Sequence, residues 1–286
     1  MSKKIKALVL SGGGAYGSYQ VGVLKALAEK NLVGWDVIAG VSVGAINTLW
    51  LSSFNKEEIL EAIKSLETLW GTLIQGNKSI YKPWFFKPFN YVASLWKGSL
   101  YNTKPLLNLL KENTNIENLN KSNVDAFVGT VSLNTGNFLL KEIKNEPNTI
   151  LWTLASATMP MLFNPVFLKN EKWVDGGVKS VTPVKELLAI YGNSIEHIDI
   201  ILANPLIQKQ DTKKYSSIIE VATKSLDSAI HEIMNTDIDL DCFSGSSSVY
   251  MPSESLPFDA FDFNPRNLKK AIELGYLETL SKINNI

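Results

Sequence analysis

The chain has 286 residues, with 28 Lys plus Arg balanced by 28 Asp plus Glu, so its zero net charge gives no long-range attraction to nucleic acid or anionic lipid. Arg266 is the single arginine, which nearly excludes bidentate phosphate clamps, and Cys242 the single cysteine, which excludes a disulfide framework and fits a reducing compartment. No apolar run approaches the roughly 20 residues of a membrane-spanning helix, and a cytoplasmic protein is expected.

Strand and helix signals alternate from the start, as in a parallel sheet covered by helices. Ile5–Leu10 is a short apolar run, interrupted by Lys6 and without alternation, the pattern of a strand buried on both faces. It is too short for a secretory signal and runs directly into a glycine loop. Gly17, Val21, Leu24 and Ala28 then recur at helical spacing. "WDVIAG" predicts a second strand, "VGAINTLWLSSF" a second helix, and Lys56–Trp70 a third, amphipathic helix. The segment from about 71 to 102 has no clear period. It crowds Tyr81, Trp84, Phe85, Phe86, Phe89, Tyr91, Trp96 and Tyr101 among Lys82, Lys87 and Lys97. We read it as an inserted cap whose rings either pack onto the sheet or touch aggregated lipid transiently at a membrane surface.

Further on, "VDAFVGTVSLNTGNFLLKEI" predicts a hairpin turning at "NTG". "NTILWTLASATMP" predicts a helix stopped by Pro160, and "FNPVFLKNEKWVDGG" a second hairpin ending in Asp175. "HIDIILANP" is a late core strand. Tyr215–Met234 carries a helical apolar stripe, and a last helix spans about Asn267–Leu280. With no repeat and no low-complexity linker, residues 1–286 are expected to form one domain with the insertion at 71–102.

Two glycine-rich stretches carry the chemistry. "SGGGAYG" contains Gly12-x-Gly14-x-x-Gly17, the spacing of a dinucleotide-binding loop. That use needs an acid at the end of the next strand, whereas Asp36 precedes the strand and Gly40-Val-Ser42 ends it. "GVSVGAIN" places Gly40-x-Ser42-x-Gly44 between strand and helix, as a nucleophile elbow requires: the turn leaves no room for side chains two residues either side of the serine. An inert tight turn is the bland alternative. With the elbow in place, the Gly12–Gly14 amides are better used on the oxyanion of a tetrahedral intermediate than on a pyrophosphate.

A serine needs a base. His197 opens a strand beside Glu196 and Asp199, and His231 follows Asp227 on the polar side of its helix, where solvation is expected; a Ser-Asp-His order remains formally open. "WVDGGV" offers Asp175 instead, followed by two glycines that allow close approach. "DIDLDC" spaces Asp237, Asp239 and Asp241 like the start of a calcium loop. Cys242 stands where that loop needs glycine and Ser248 where it needs glutamate, so no metal site is expected.

Four ordered blocks resemble those of patatin-like phospholipases and lipid acyl hydrolases: "GGGAYG", "GVSVGAIN" with its trailing Asn47, "ASATMPMLFNPV" and "DGG". The "LGYLETL" near the end is similar to that family's closing helix. The resemblance covers about residues 5–205. It implies a three-layer α/β sandwich with a mostly parallel sheet, a Ser42–Asp175 dyad and an oxyanion hole from the Gly12, Gly13 and Gly14 backbone. It further implies an acyl-enzyme and hydrolysis of lipid or phospholipid esters without a cofactor. Two departures stand out: Tyr16 where the family usually has Arg or Lys, and "SVTP" where it often has Asn. A catalytically silent lipid-binding scaffold of the same fold is the alternative, with a nucleotide-binding oxidoreductase third.

Overall fold

The computed structural model describes residues 4–84, 98–207, 216, 218–238, 240 and 243–285. Strand β1 (Ile5–Leu10) leads through a 3-10 turn at Gly14–Tyr16 into α1 (Gly17–Glu29). Next come β2 (Val37–Val41), α2 (Val43–Ser52) and α3 (Ile59–Thr68), which widens into a π-turn at Leu69–Leu73. Two short strands, β3 (Lys82–Pro83) and β4 (Tyr101–Asn102), pair with each other ahead of α4 (Lys104–Asn113) and α5 (Ile116–Lys121). Two antiparallel hairpins follow, β5 (Asp125–Ser132) with β6 (Phe138–Glu142) and β7 (Val166–Leu168) with β8 (Glu171–Asp175), separated by α6 (Thr149–Ser156). The remainder is α7 (Val184–Tyr191), β9 (Ile195–Ile201), α8 (Ile218–Asp237), β10 (Ser246–Tyr250) and α9 (Pro265–Asn284).

The main sheet has the order β10-β9-β1-β2-β5-β8-β7, with β6 added to β5. Its pairings from β10 to β5 are parallel, and those of β6, β7 and β8 antiparallel. Alternation along the strands sorts the two faces. Leu8, Leu10, Ile38, Ala126 and Val128 pack with α1, α2, α3, α6 and α9, while Ala7, Val9, Val37, Ala39 and Phe127 pack with Val184 and Leu187 of α7. This is a three-layer α/β sandwich with a mostly parallel sheet.

The pairing of β5 positions the site. Residues Phe127–Val131 pair with β6, so both other partners must lie on the opposite edge of β5. On that edge β2 pairs as far as Val41↔Gly129, and β8 takes over at the next rung, Thr130↔Asp175. The C-terminal ends of β2 and β8 therefore meet head to head. Ser42 is the next residue after Val41, so a serine and an aspartate 133 positions later in the chain are brought together by two successive rungs of one strand.

Several expectations are adjusted. Helix α6 ends at Ser156, ahead of Pro160, because the Thr158 N–H and hydroxyl both donate to the Ala155 carbonyl (3.1 and 2.8 Å) and close the last turn. Strand β10 was not anticipated: "SSSVY" has no apolar alternation because it is an edge strand, paired among the described residues only with β9. The stripe on α8 is mostly half-exposed, with Met234 its one buried member among the residues whose burial is described; Ile230 and Met234 face a cavity rather than the core. Tyr81 joins a ring cluster with Tyr101, Phe163 and Phe263, and Trp84 Nε1 donates to Ser99 Oγ (3.2 Å). Phe85, Phe86, Phe89, Tyr91, Trp96, Lys87 and Lys97 lie outside the described residues, as do Tyr215, Asp239, Asp241 and Cys242. Among the described residues no helix is long and apolar enough to cross a membrane.

Candidate active site

Ser42 caps the N-terminus of α2 at φ 56° and ψ −123°, a left-handed conformation that costs a non-glycine residue on the order of 1–3 kcal/mol. The flanking glycines permit the turn. A Cβ on Gly40 would stand 2.2 Å from the Gly44 carbonyl oxygen, and one on Gly44 would stand 2.2 Å from that of Leu10. Ser156 pins the turn from below: its Oγ accepts the Ser42 N–H (3.0 Å) and donates to the Gly129 carbonyl (2.6 Å). The hydroxyl thus ties the serine's backbone to the β5 rung that faces β2.

Asp175 is 2% exposed. Its N–H is donated to the Thr158 carbonyl (3.1 Å), and its Oδ1 accepts the Gly177 N–H (2.8 Å). The Ser42 hydroxyl stabilises the same carboxylate without closing a full hydrogen bond, for Oδ2 is buried with no bonded partner among the described residues. Burial outweighs both stabilising contacts and pushes the Asp175 carboxyl up to about 7. A carboxylate normally too acidic to serve as a base at neutral pH is thereby brought into the range of an imidazole.

The Gly12–Gly14 loop lies across the C-terminal end of β1. A Cβ on Gly12 would approach Ser42 Cβ to 3.2 Å, so loop and elbow are in direct contact. The expectation of three open amides narrows to two. Gly12 N–H is already donated to the Val181 carbonyl (3.0 Å), whereas Gly13 and Gly14 N–H have no acceptor among the described residues. Gly12 O accepts the Ser11 hydroxyl (3.0 Å), and because a trans peptide sets C=O and N–H on opposite sides, this bond aims the Gly13 N–H away from Ser11.

Beneath the loop lies a buried polar chain. Gln20 Nε2 donates to the Ser11 carbonyl (2.9 Å), Asn47 Nδ2 to Gln20 Oε1 (2.8 Å), and Trp70 Nε1 to Asn47 Oδ1 (2.9 Å). Asn47 is therefore a brace between elbow helix and loop. Tyr16, the departure from the family pattern, donates its hydroxyl to the Phe258 carbonyl (2.5 Å) and packs edge-on against the Phe258 ring, so it tethers the 258–263 segment rather than contributing charge.

Ser42, Asp175 and Gly12–Gly14 all line one cavity of about 580 Å3. Leu69, Ile74, Ile80, Leu106, Phe163 and Phe263 make one side apolar, and α8 supplies a polar side with Thr223, Lys224, Asp227 and His231. An apolar chamber with a few convergent polar groups suits a small amphiphile. The histidines divide. His197 bridges Ser246 Oγ (2.7 Å) and Asp199 Oδ1 (3.0 Å) on β9 and is not among the cavity residues. His231 is half-buried in the cavity wall instead of solvated, its Nε2 bonded to the Pro205 carbonyl (3.0 Å). The sequence reading had no role for Ser156 or Gln20. Ser156 lies inside the quoted "ASATMP" block, the one signal that could have drawn attention to it.

The protein is thus of the α/β class, a mostly parallel sheet between helical layers, with a strained serine at the end of its second strand and a buried aspartate brought up to it. The patatin-like phospholipase pattern matches residues 8–188, and the chain belongs to that family. Triacylglycerol lipase 4 of Saccharomyces cerevisiae is 28% identical over 220 residues, covering 67% of this chain and 23% of the yeast protein. Triacylglycerol lipase ptl3 of Schizosaccharomyces pombe is 24% identical over 264 residues, covering 80% of this chain and 52% of that protein. The chain thus spans about a quarter to a half of these relatives. The crystal structure of VipD from Legionella pneumophila aligns with a TM-score of 0.47 at 14% identity, over 99% of this chain and 67% of that one.

Proposed function

We propose that the chain is a serine-dependent lipid acyl hydrolase in which Ser42 is the nucleophile and Asp175 its base. The observation that carries this reading is the unpartnered Oδ2 of buried Asp175, the carboxylate that the Ser42 hydroxyl stabilises. Membership of the patatin-like phospholipase family and the names of its lipase relatives support a lipid ester as substrate. So does the cavity's apolar side.

In the first half-reaction Ser42 Oγ attacks the ester carbonyl carbon while its proton passes to Asp175. The carbonyl π electrons move to oxygen, which Gly13 and Gly14 N–H receive. Collapse of this intermediate breaks the bond to the alcohol oxygen, and Asp175 returns the proton to that leaving group. The second half-reaction repeats the cycle with water: Asp175 takes its proton, the hydroxide oxygen adds to the acyl-enzyme, and collapse releases the fatty acid and a reprotonated Ser42. Donors fixed before the charge develops cost no reorganisation during the reaction.

The test is labelling by a fluorophosphonate together with turnover of a lipid ester and of a short soluble ester. Wild type should label and turn over; Ser42→Ala should do neither while remaining folded. Turnover by folded Ser42→Ala would refute the assignment, and a wild type that binds lipid without labelling would mark the chain as a silent scaffold.

A further inference from the structure

Asp237 was weighed in the sequence only as a false calcium ligand, and the dyad makes no use of it. It ends α8 with 9% exposure, and its Oδ2 accepts two backbone N–H groups, from Val181 (2.6 Å) and Thr182 (2.9 Å). The Thr182 N–H and the Val181 C=O belong to one peptide plane and point in opposite directions. That carbonyl is the acceptor of Gly12 N–H (3.0 Å). A carboxylate holding one end of the peptide fixes the plane and polarises the carbonyl at its other end, strengthening the bond to Gly12. Gly12 is then held at both ends, at N–H by Val181 and at C=O by the Ser11 hydroxyl, and the second of these sets the direction of Gly13 N–H.

We propose that Asp237 is a positioning residue for the oxyanion turn, through which the seating of α8 sets the geometry of the Gly13 donor. The inference rests on the reading of Gly13 and Gly14 as oxyanion donors. Its consequence is specific: α8 is at once one wall of the cavity and a brace for the turn. Loss of its C-terminal anchor impairs turnover even of a substrate too short to touch that wall. Burial pushes the Asp237 carboxyl up to about 6 against the two amide bonds, with Glu186 raising and Lys185 lowering it, so the group is mostly ionised at neutral pH. The link joins α8 to the Val181–Thr182 peptide, which lies within the family-matched residues 8–188.

The experiment compares wild type, Asp237→Ala and Asp237→Asn on p-nitrophenyl butyrate, with folded protein counted by circular dichroism and fluorophosphonate rates measured alongside. Outright removal of an oxyanion donor costs roughly 10²–10³ in kcat, and misalignment should cost part of that, about tenfold for Asp237→Ala, with KM within about twofold. Asp237→Asn keeps an oxygen acceptor and should fall between the two, about threefold down, with phosphonylation of Ser42 slowed in parallel. Should Asp237→Ala not fold, Asp237→Asn alone decides. Wild-type kcat in a folded variant, or a KM that rises in step with the fall in kcat, would overturn the link and leave the hydrolase reading standing. A wild type with no Ser42-dependent turnover would bring down both.

Discussion

Replacing Asp175 by Asn should destroy turnover and stabilise the fold at alkaline pH, and the size of the gain follows from the carboxyl's burial. The folded-state value is about 7 against 3.8 for the exposed group. An acid whose pKa is raised on folding binds its proton more tightly in the native state, so between about pH 4 and 7 the native protein holds more protons than the unfolded chain. Stability therefore falls as pH rises through that window and levels off above 7. About three pH units at ~1.4 kcal/mol each give a penalty on the order of 4 kcal/mol, which Asn does not carry. The Asn side-chain oxygen can still accept Gly177 N–H, but its amide lacks an acceptor of its own, so the figure is an upper bound. Urea unfolding of wild type and Asp175→Asn at pH 5 and pH 8 gives the answer as a difference of differences. Asp237, also raised by burial, is present in both proteins and cancels. About two units of that window lie between pH 5 and pH 8, so the two proteins should be separated by up to about 3 kcal/mol more at pH 8 than at pH 5. A separation independent of pH would show that Asp175 is not a strained carboxylate and would remove the physical basis for its role as base.

Ser42→Gly should abolish labelling and raise stability by about 1 kcal/mol, since glycine adopts the elbow's backbone conformation without strain; an unchanged or lower urea midpoint would speak against strain at Ser42. Gly44→Ala should cost several kcal/mol or prevent folding, because its Cβ would meet the Leu10 carbonyl oxygen at 2.2 Å; a soluble, active variant would mean the elbow is looser than described. His197→Ala and His231→Ala should keep most of the wild-type kcat. The kcat–pH curve should nevertheless rise with a midpoint near 7, set by Asp175 rather than imidazole. Because carboxylic acids ionise with little enthalpy, that midpoint should barely move with temperature, whereas the strong temperature dependence of an imidazole would reassign it.

Much of this architecture was legible because its signals are local. β1 is apolar apart from Lys6 and β2 throughout, the first hairpin announces its turn in "NTG" while the second turns at "KN", and the elbow is written as Gly40-x-Ser42-x-Gly44. Lys169 and Asn170 do adopt the left-handed pair of conformations that a two-residue hairpin turn needs. What the chain did not announce depends on partners distant in sequence. Strand β10 is polar because one edge is free, and only pairing with β9 makes it a strand. The stripe on α8 looks like a core face because a periodicity records which residues avoid water, not whether they face a packed sheet or a cavity. The status of Gly12 was likewise unreadable, since its N–H is taken by the backbone of Val181, whose "SVTP" stretch gives no sign of that contact. The same holds for Ser156 and Asp237, whose partners are backbone groups of other segments.

The elbow and the aspartate make sense together in a way that neither does alone. An ordinary carboxylate is a poor base for an alcohol, and no histidine is needed if burial raises its proton affinity far enough. Burial does this only while Oδ2 has no strong donor, since a bonded N–H or water would hold the carboxylate in its charged form. The pairing of β5 with β2 and then β8 brings the chain ends that carry Ser42 and Asp175 together, and Gly177 satisfies Oδ1 alone. The Ser42 hydroxyl is then the group left to relieve Oδ2, and full relief comes when its proton transfers. Strain in the serine's backbone works in the same direction, holding the oxygen forward at the helix terminus instead of letting it turn into a stable cap. In the proposed mechanism the proton transfer that begins the reaction relieves the buried charge of Asp175, while the braces at Ser156, Gln20 and Asn47 hold the strained serine turn in place throughout.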